Sequence, residues 1–546
     1  MTVSRRDFLK MSTTTVAAGA VASTLGSVAL AEPAAVDVQQ PFDTLIKNGR
    51  VFNGDGKTEI RGDVGIKDGK IAAIGRLGTN AQNVVDVDGL VISPGFIDIH
   101  AHSDTNYLLA PKGDSRIFQG ITLDVGGNCG GSPFPVRPYK SVTEFMAALS
   151  EKGFGVNYAT FLGQGEVREA VIGTNATPAT PETLEKMKAI VDEQLSQGCI
   201  GLSFGLEYAP GCYGSDEELT ELLKVVAKHD ALYAIHMRNE DDHVEEAIAE
   251  AIQMARQSGA RLEISHLKAQ NANNWHRAPA MLRQIEEASK ELDIAFDRYP
   301  YIAFSNGLIS FVPMLDRQGS DDDVLARLQN PEDCKRIREY AETRLRKLGG
   351  PDHVLIISAR TEPYRRFIGK NIAECCEMTG LEPWPFIQKT LLDERLFPDI
   401  VAFAMNEDNV KTFLAHPLGM PASDGYVYSP TGPLGKDQPH PRSYGTFPRF
   451  FGKYVRDEKI CDLATAIRKA TALPASRLKL KDRGMLLPGY QADVVVFNPD
   501  TIIDRATFEK PHQFPIGIEH VFVNGAWAIK HGEHTGALAG QWVKLS

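Results

Sequence analysis

The chain has 546 residues, 24% of them charged, with a formal net charge of -11 at pH 7. That length exceeds one small core and suits a large barrel with a smaller companion domain. The acidic balance and the lack of any basic tract exclude a nucleic-acid-binding role and leave small molecules as the expected partners.

The chain begins with Ser4-Arg5-Arg6-Asp7-Phe8-Leu9-Lys10, a mildly apolar stretch and the small-x-small site Ala29-Leu30-Ala31. Paired arginines before such a stretch read as a twin-arginine export signal spanning residues 1–31, cleaved after Ala31, with a periplasmic address. No later segment has the apolar length of a membrane helix, so the mature form is expected to be free of the membrane. Seven cysteines form neither a zinc-finger spacing nor a dense disulfide framework. Most of them read as core residues, and Cys129 is the exception.

Residues 42–90 alternate short strand-like runs with Asn-Gly and Asp-Gly turns, as in Thr44-Leu45-Ile46-Lys47-Asn48-Gly49 and Asp68-Gly69. Residues 480–546 repeat that texture in Val494-Val495-Val496-Phe497 and Val521-Phe522-Val523-Asn524-Gly525. Both ends are expected to pair into one β-sandwich. Between them, over 91–479, apolar runs alternate with amphipathic stretches such as Ser215 to His229 and Glu245 to Gln257, the rhythm of an α/β (β/α)8 TIM-like barrel. Strand-like runs end near His102, Cys129, Tyr208, His236, His266, Tyr299 and Asp424, and residues 307–423 read as an insertion over the barrel mouth.

The run Val91 to His102 reads as a buried strand ending in His100 and His102, two imidazoles that face one side and can share a metal. Gly126-Gly127-Asn128-Cys129-Gly130 sets a thiol at a strand end between glycines, which let backbone approach a ligand closely. His236 and His266 end consecutive strands. With Cys129 they make three donors of the kind Zn²⁺ prefers, leaving a fourth position open. Asp424 falls on the last barrel strand, where a carboxylate can take a proton from an activated water and return it to a leaving amine.

Taken with Pro94-Gly95-Phe96-Ile97-Asp98-Ile99-His100-Ala101-His102, Asn128-Cys129-Gly130, Gly205-Leu206-Glu207-Tyr208, Ser265-His266-Leu267-Lys268, Tyr299-Pro300-Tyr301, Ser423-Asp424-Gly425 and His440-Pro441-Arg442-Ser443-Tyr444, the chain resembles the N-acyl-D-amino-acid deacylases of the amidohydrolase superfamily. The resemblance runs from about Phe42 to the C-terminus. It implies a firmly held zinc on Cys129, His236 and His266, a weaker second metal at His100 and His102, Asp424 as general base and acid, and Lys268, Tyr208 and Tyr299 near the substrate, with Lys268 a partner for its carboxylate. The implied reaction is hydrolysis of an N-acyl-D-amino acid to a carboxylic acid and a free D-amino acid. Hydantoinase-like relatives carry a carbamylated lysine on the fourth strand, and this chain has no lysine between Lys188 and Lys224. A cyclic-amide hydrolase or dipeptidase on the same scaffold, and a non-catalytic periplasmic zinc-binding protein, are the alternative readings.

Overall fold

Short, almost wholly apolar runs separated by amphipathic helices form a closed parallel barrel, because strands covered on both faces need no polar side. A computed structural model describes residues 41–545. The export-signal reading falls on residues 1–31 and lies outside the described residues.

The barrel strands are β1 (Phe96–Asp98), β2 (Ile121–Gly126), β3 (Asn157–Thr160, resumed as Leu162–Gly163), β4 (Gly201–Gly205), β5 (Leu232–His236), β6 (Arg261–Ile264), β7 (Ile294–Arg298) and β8 (Gly419–Pro421). Each pairs in parallel with the next. The ring closes where Ala101 bridges Gly425, with Asp424 N–H donating to the His100 carbonyl at 2.8 Å. Alternation sorts the side chains: Leu232 and Ala234 fill the barrel with Leu123, Val125 and Met420, whereas Tyr233 and Ile235 face the helices. Helix Asp216–Lys228 shows why the outer layer forms, since Ser215 Oγ accepts the Glu218 N–H as an N-cap and Leu219, Leu222, Leu223 and Val226 make one buried stripe.

The run Val91 to His102 is not one strand. Val91–Pro94 pairs with strands from both ends of the chain, and the barrel begins only at Phe96. Gly95 is the pivot between the two, because a Cβ there would collide with the buried Thr122 side chain. The companion sheet has nine strands, including Phe42–Phe52, Glu59–Lys67, Val494–Phe497 and Ile518–Val523, around Val64, Ile66, Ile92, Val494, Val496 and Phe522. Between β7 and β8 an added layer holds an antiparallel sheet of Ala303–Gly307, Asp399–Phe403 and Val354–Ile356. Its helices include Asp321–Gln329, Pro331–Lys347 and Pro383–Asp393, packed on a core of their own with Phe311, Leu328, Ile337 and Leu391. The layer therefore starts before Gly307 and ends before Ser423, since helix Glu407–Ala415 packs Val410 and Leu414 with Phe450 and Phe451 instead. Among the described residues no helix is long and apolar enough to cross a membrane, and all seven cysteines are free thiols.

Candidate active site

Catalytic groups of such barrels stand at the C-terminal ends of the strands, and those ends carry every site residue expected from the sequence. His236 is the last residue of β5 and shares the inward face of Leu232 and Ala234. Cys129 and Asp424 lie three residues beyond β2 and β8, both in left-handed backbone, with φ of 52° and 50°. Alternation would place His266 on the outward face of Leu262 and Ile264, but φ of 36° turns the chain there, and its ring sits 4.8 Å from that of His100. Left-handed backbone costs a non-glycine residue about 1–3 kcal/mol, and three such positions in one place mark a geometry kept for function.

The donor atoms converge. Cys129 Sγ lies 3.3 Å from His100 Nε2 and 3.4 Å from His266 Nε2, and His266 Nε2 lies 2.9 Å from His236 Nδ1. His102 Nε2 is 2.9 Å and His100 Nε2 3.4 Å from Asp424 Oδ1. Sorted by distance, His100, Cys129, His266 and Asp424 bring donor atoms within 4.8 Å of one another, as do His236, Glu240 and His266. The His-x-His pair adjoins the thiol, with His100 standing directly beside it, so two donor groups overlap in one place.

Glycine makes room for the thiol loop. A Cβ on Gly205 of β4 would strike the Cys129 carbonyl, and Ser203 Oγ, one turn of the pleat away, accepts the Gly130 N–H at 3.0 Å and donates to the Gly127 carbonyl at 2.6 Å. The cysteine loop therefore rests on β4, a strand that carries no lysine.

Burial alone would push the Cys129 thiol up, yet the imidazoles of His100 and His266 outweigh it and hold the thiol well below its ordinary range. Burial likewise opposes charge on Asp424, but Arg442, whose Nη1 donates to Asp424 Oδ2 at 2.5 Å, and the neighbouring histidines hold this carboxyl well below the usual carboxylate range. Despite burial, the carboxylates and the thiol raise His102 to about 9 and His236 to about 10. Anionic donors that pull protons onto these two imidazoles form a cluster suited to a cation.

Lys268 is neither solvated nor free. It is buried, with Nζ 2.5 Å from Glu240 Oε1 and 2.7 Å from His266 Nδ1. Tyr208 stands beside His236, its hydroxyl 3.4 Å from Nδ1. Tyr299 is fully buried, lies under the Arg442 guanidinium at 4.8 Å, and its hydroxyl has no hydrogen-bond partner. A cavity of about 380 Å³ opens over these groups, lined also by Ser305, Asn306 and Asp399 from the added layer.

Three functional neighbours escaped the sequence reading. Asp297, inward on β7, lies with Oδ2 3.1 Å from His100 Nδ1, and its Oδ1 accepts the His266 N–H at 2.9 Å. Glu240 binds His266 Nδ1 at 3.0 Å, and Arg442 holds Asp424. Asp297 could have been found from its place on the inward face of a strand end. Glu240 sits four residues past His236 in a loop, where no period marks it.

A (β/α)8 barrel that gathers a thiol, four imidazoles and a carboxylate at its strand ends defines a metal-dependent hydrolase scaffold of the amidohydrolase type. Residues 83–528 match the amidohydrolase family, and the chain belongs to it. It is 33% identical over 92% of its length to the D-aminoacylase of Alcaligenes xylosoxydans xylosoxydans, covering 97% of that protein. It is also 33% identical over 89% of its length to the N-acyl-D-glutamate deacylase of the same organism, covering 94% of it. The crystal structure of N-acyl-D-glutamate deacylase from Bordetella bronchiseptica, complexed with zinc and a phosphonate mimic of the tetrahedral intermediate, matches with a TM-score of 0.79 at 32% identity, over 92% of this chain and 100% of that one.

Proposed function

We propose that the protein hydrolyses the amide bond of N-acyl-D-amino acids, releasing a carboxylic acid and a free D-amino acid. The observation that carries this reading is the meeting of Cys129, His100, His236, His266 and Asp424 in one buried place under the cavity. Zinc suits that donor set, with Cys129, His236 and His266 as the firm ligands and His100 and His102 at a weaker second position. Zinc bound there would polarise a carbonyl and lower the pKa of a bound water to roughly 7.

The chain's own residues do the rest. Asp424, kept ionised by Arg442, takes a proton from the attacking water and delivers it to the departing nitrogen as the C–N bond breaks. His102, hydrogen-bonded to Asp424 Oδ1, orients that carboxylate. Asp297 holds the far nitrogen of His100, which leaves its Nε2 facing the thiol, and His266 Nδ1 is held between Glu240 and Lys268. Lys268, which keeps Glu240 as its counter-ion, lines with Tyr208 and Tyr299 the part of the cavity where the substrate carboxylate would lie.

Side-by-side assay of N-acetyl-D-leucine, its L-isomer, a hydantoin and a dipeptide, with zinc content measured on wild type and Cys129→Ala, tests the reading. Turnover of the D-isomer together with loss of zinc and activity in the variant is expected; turnover of the hydantoin alone overturns it. We also infer export by the twin-arginine route, supported by Arg5-Arg6 and Ala29-Leu30-Ala31. Replacing both arginines by lysine should retain the protein in the cytoplasmic fraction, and unchanged export would refute the route.

A further inference from the structure

The first and last barrel strands meet on very little backbone. β1 and β8 share no ladder among the described residues, and the ring closes on the single bridge of Ala101 with Gly425. Two backbone bonds cross it, Asp424 N–H to the His100 carbonyl and His102 N–H to the Gly425 carbonyl, both at 2.8 Å. This seam carries groups whose spacing matters to the chemistry, His100 and His102 on one side and Asp424 on the other. Asp424 keeps left-handed backbone, with φ of 50°, a conformation that persists only where its neighbours enforce it.

Arg116 supplies what the ladder lacks. It lies in the short helix Asp114–Ile117 between β1 and β2 and is fully buried. Its Nη1 donates to Ser423 Oγ at 2.8 Å and to Asp98 Oδ2 at 3.3 Å, while Nε and Nη2 donate to Ser103 Oγ at 3.3 and 3.2 Å. Ser423 Oγ also accepts the Gly425 N–H at 3.0 Å, and Asp98 Oδ1 accepts the Ser423 N–H at 2.9 Å, a bond that a strand carbonyl accepts in an ordinary ladder. From β2, Asp124 Oδ2 lies 3.4 Å from Nε. Both neighbours of Asp424, the residue after His102 and the residue two before His100 are thus tied to one planar guanidinium.

We propose that Arg116, acting through Ser423, is a positioning residue for Asp424 that fixes this carboxylate against the His100 and His102 side of the metal centre. The inference rests on the deacylase reading above, in which Asp424 moves the proton, and deepens it. Arg442 and His102 hold the Asp424 carboxylate itself, whereas Arg116 holds the backbone that carries it and does not line the cavity. A lysine would keep the charge but not the flat fork whose nitrogens face separate partners.

Misplacing a reacting group by about 1 Å costs on the order of 10²-fold in rate, which sets the scale of the test. kcat, KM, zinc content and melting temperature are measured on zinc-loaded wild type, Ser423→Ala, Arg116→Lys, the double variant and Tyr107→Phe, with the N-acyl-D-amino acid that the wild type turns over fastest. Ser423→Ala and Arg116→Lys should each lower kcat by about 10- to 100-fold, with KM and zinc content within about twofold of wild type. Because both act on one link, the double variant should fall little below the worse single variant. Tyr107→Phe removes a 2.8 Å hydrogen bond to Asp124 from the same buried cluster and none from the neighbours of Asp424, so kcat should stay within about twofold even if melting is lowered. A Ser423→Ala enzyme with wild-type kcat, independent losses that multiply in the double variant, or a kcat that follows melting temperature through Tyr107→Phe as well would overturn the inference and leave the deacylase reading standing. If Arg116→Lys does not fold, Ser423→Ala against Tyr107→Phe decides by the same criteria. Wild-type protein that hydrolyses no N-acyl-D-amino acid removes the deacylase reading and this inference together.

Discussion

Replacing Glu240 with glutamine removes one charge and no volume, and the damage can be worked out from its partners. Glu240 Oε1 faces the Lys268 ammonium at 2.5 Å and His266 Nδ1 at 3.0 Å, while Oε2 accepts from Gln270 Nε2 at 2.7 Å. With His266 Nε2 given to a metal, all three partners are donors. An amide has one acceptor oxygen, so whichever way it turns its NH₂ meets a donor. One orientation abandons Gln270, and the other abandons both Lys268 and His266. Lys268 is buried and loses its counter-charge in either case, which costs about 3–5 kcal/mol. Loosening the carboxylate that orients His266 weakens metal affinity by about 10- to 100-fold. Thermal unfolding of the zinc-loaded protein and competition for zinc with a chromogenic chelator measure the two effects. Adding Lys268→Met to Glu240→Gln should restore part of the stability, since the stranded ammonium is then gone, but not the zinc affinity. A Glu240→Gln protein with wild-type melting and wild-type zinc affinity would falsify this account of the network.

Asp424→Ala should keep the zinc and lower kcat/KM by about 10²- to 10⁴-fold, the span of a general acid–base group; near-wild-type turnover would remove Asp424 from the chemistry. Gly95→Ala should destabilise the fold by about 1–3 kcal/mol, because its Cβ collides with buried Thr122 and must displace either β1 or β2, and an unshifted melting curve would show the pivot to be slack. For His520, in the strand Ile518–Val523, burial with His531 and Lys530 nearby lowers the pKa to about 4. The unfolded chain, titrating near 6.5, therefore binds more protons between pH 6.5 and about 4. The stability His520 contributes is complete above that window and is lost as pH falls through it. His520→Gln should flatten the pH dependence of unfolding there, and a slope identical to wild type would contradict the assignment.

Much of the site was legible in the sequence because parallel barrel strands are nearly continuous apolar runs, and a polar residue closing such a run stands out. Cys129, His236, His266, Tyr299 and Asp424 were all visible in that way. β3 was not, since Asn157–Thr160 carries polar residues at both ends and breaks at Phe161 before resuming as Leu162–Gly163. The Gly95 pivot was hidden for the opposite reason, because two strands of different sheets follow each other without a polar break.

The sequence by itself determined the chemistry: a thiol, imidazoles and a carboxylate, each at the end of its own strand. Only the tertiary structure decided how they are held. Asp297 on His100, Glu240 on His266 and Lys268, and Arg442 on Asp424 join residues from separate segments of the barrel. Strand and helix periods record which face a side chain occupies, and so they reach the sequence. A hydrogen-bond partner is chosen by distance in space, and chain closure around the barrel sets that distance.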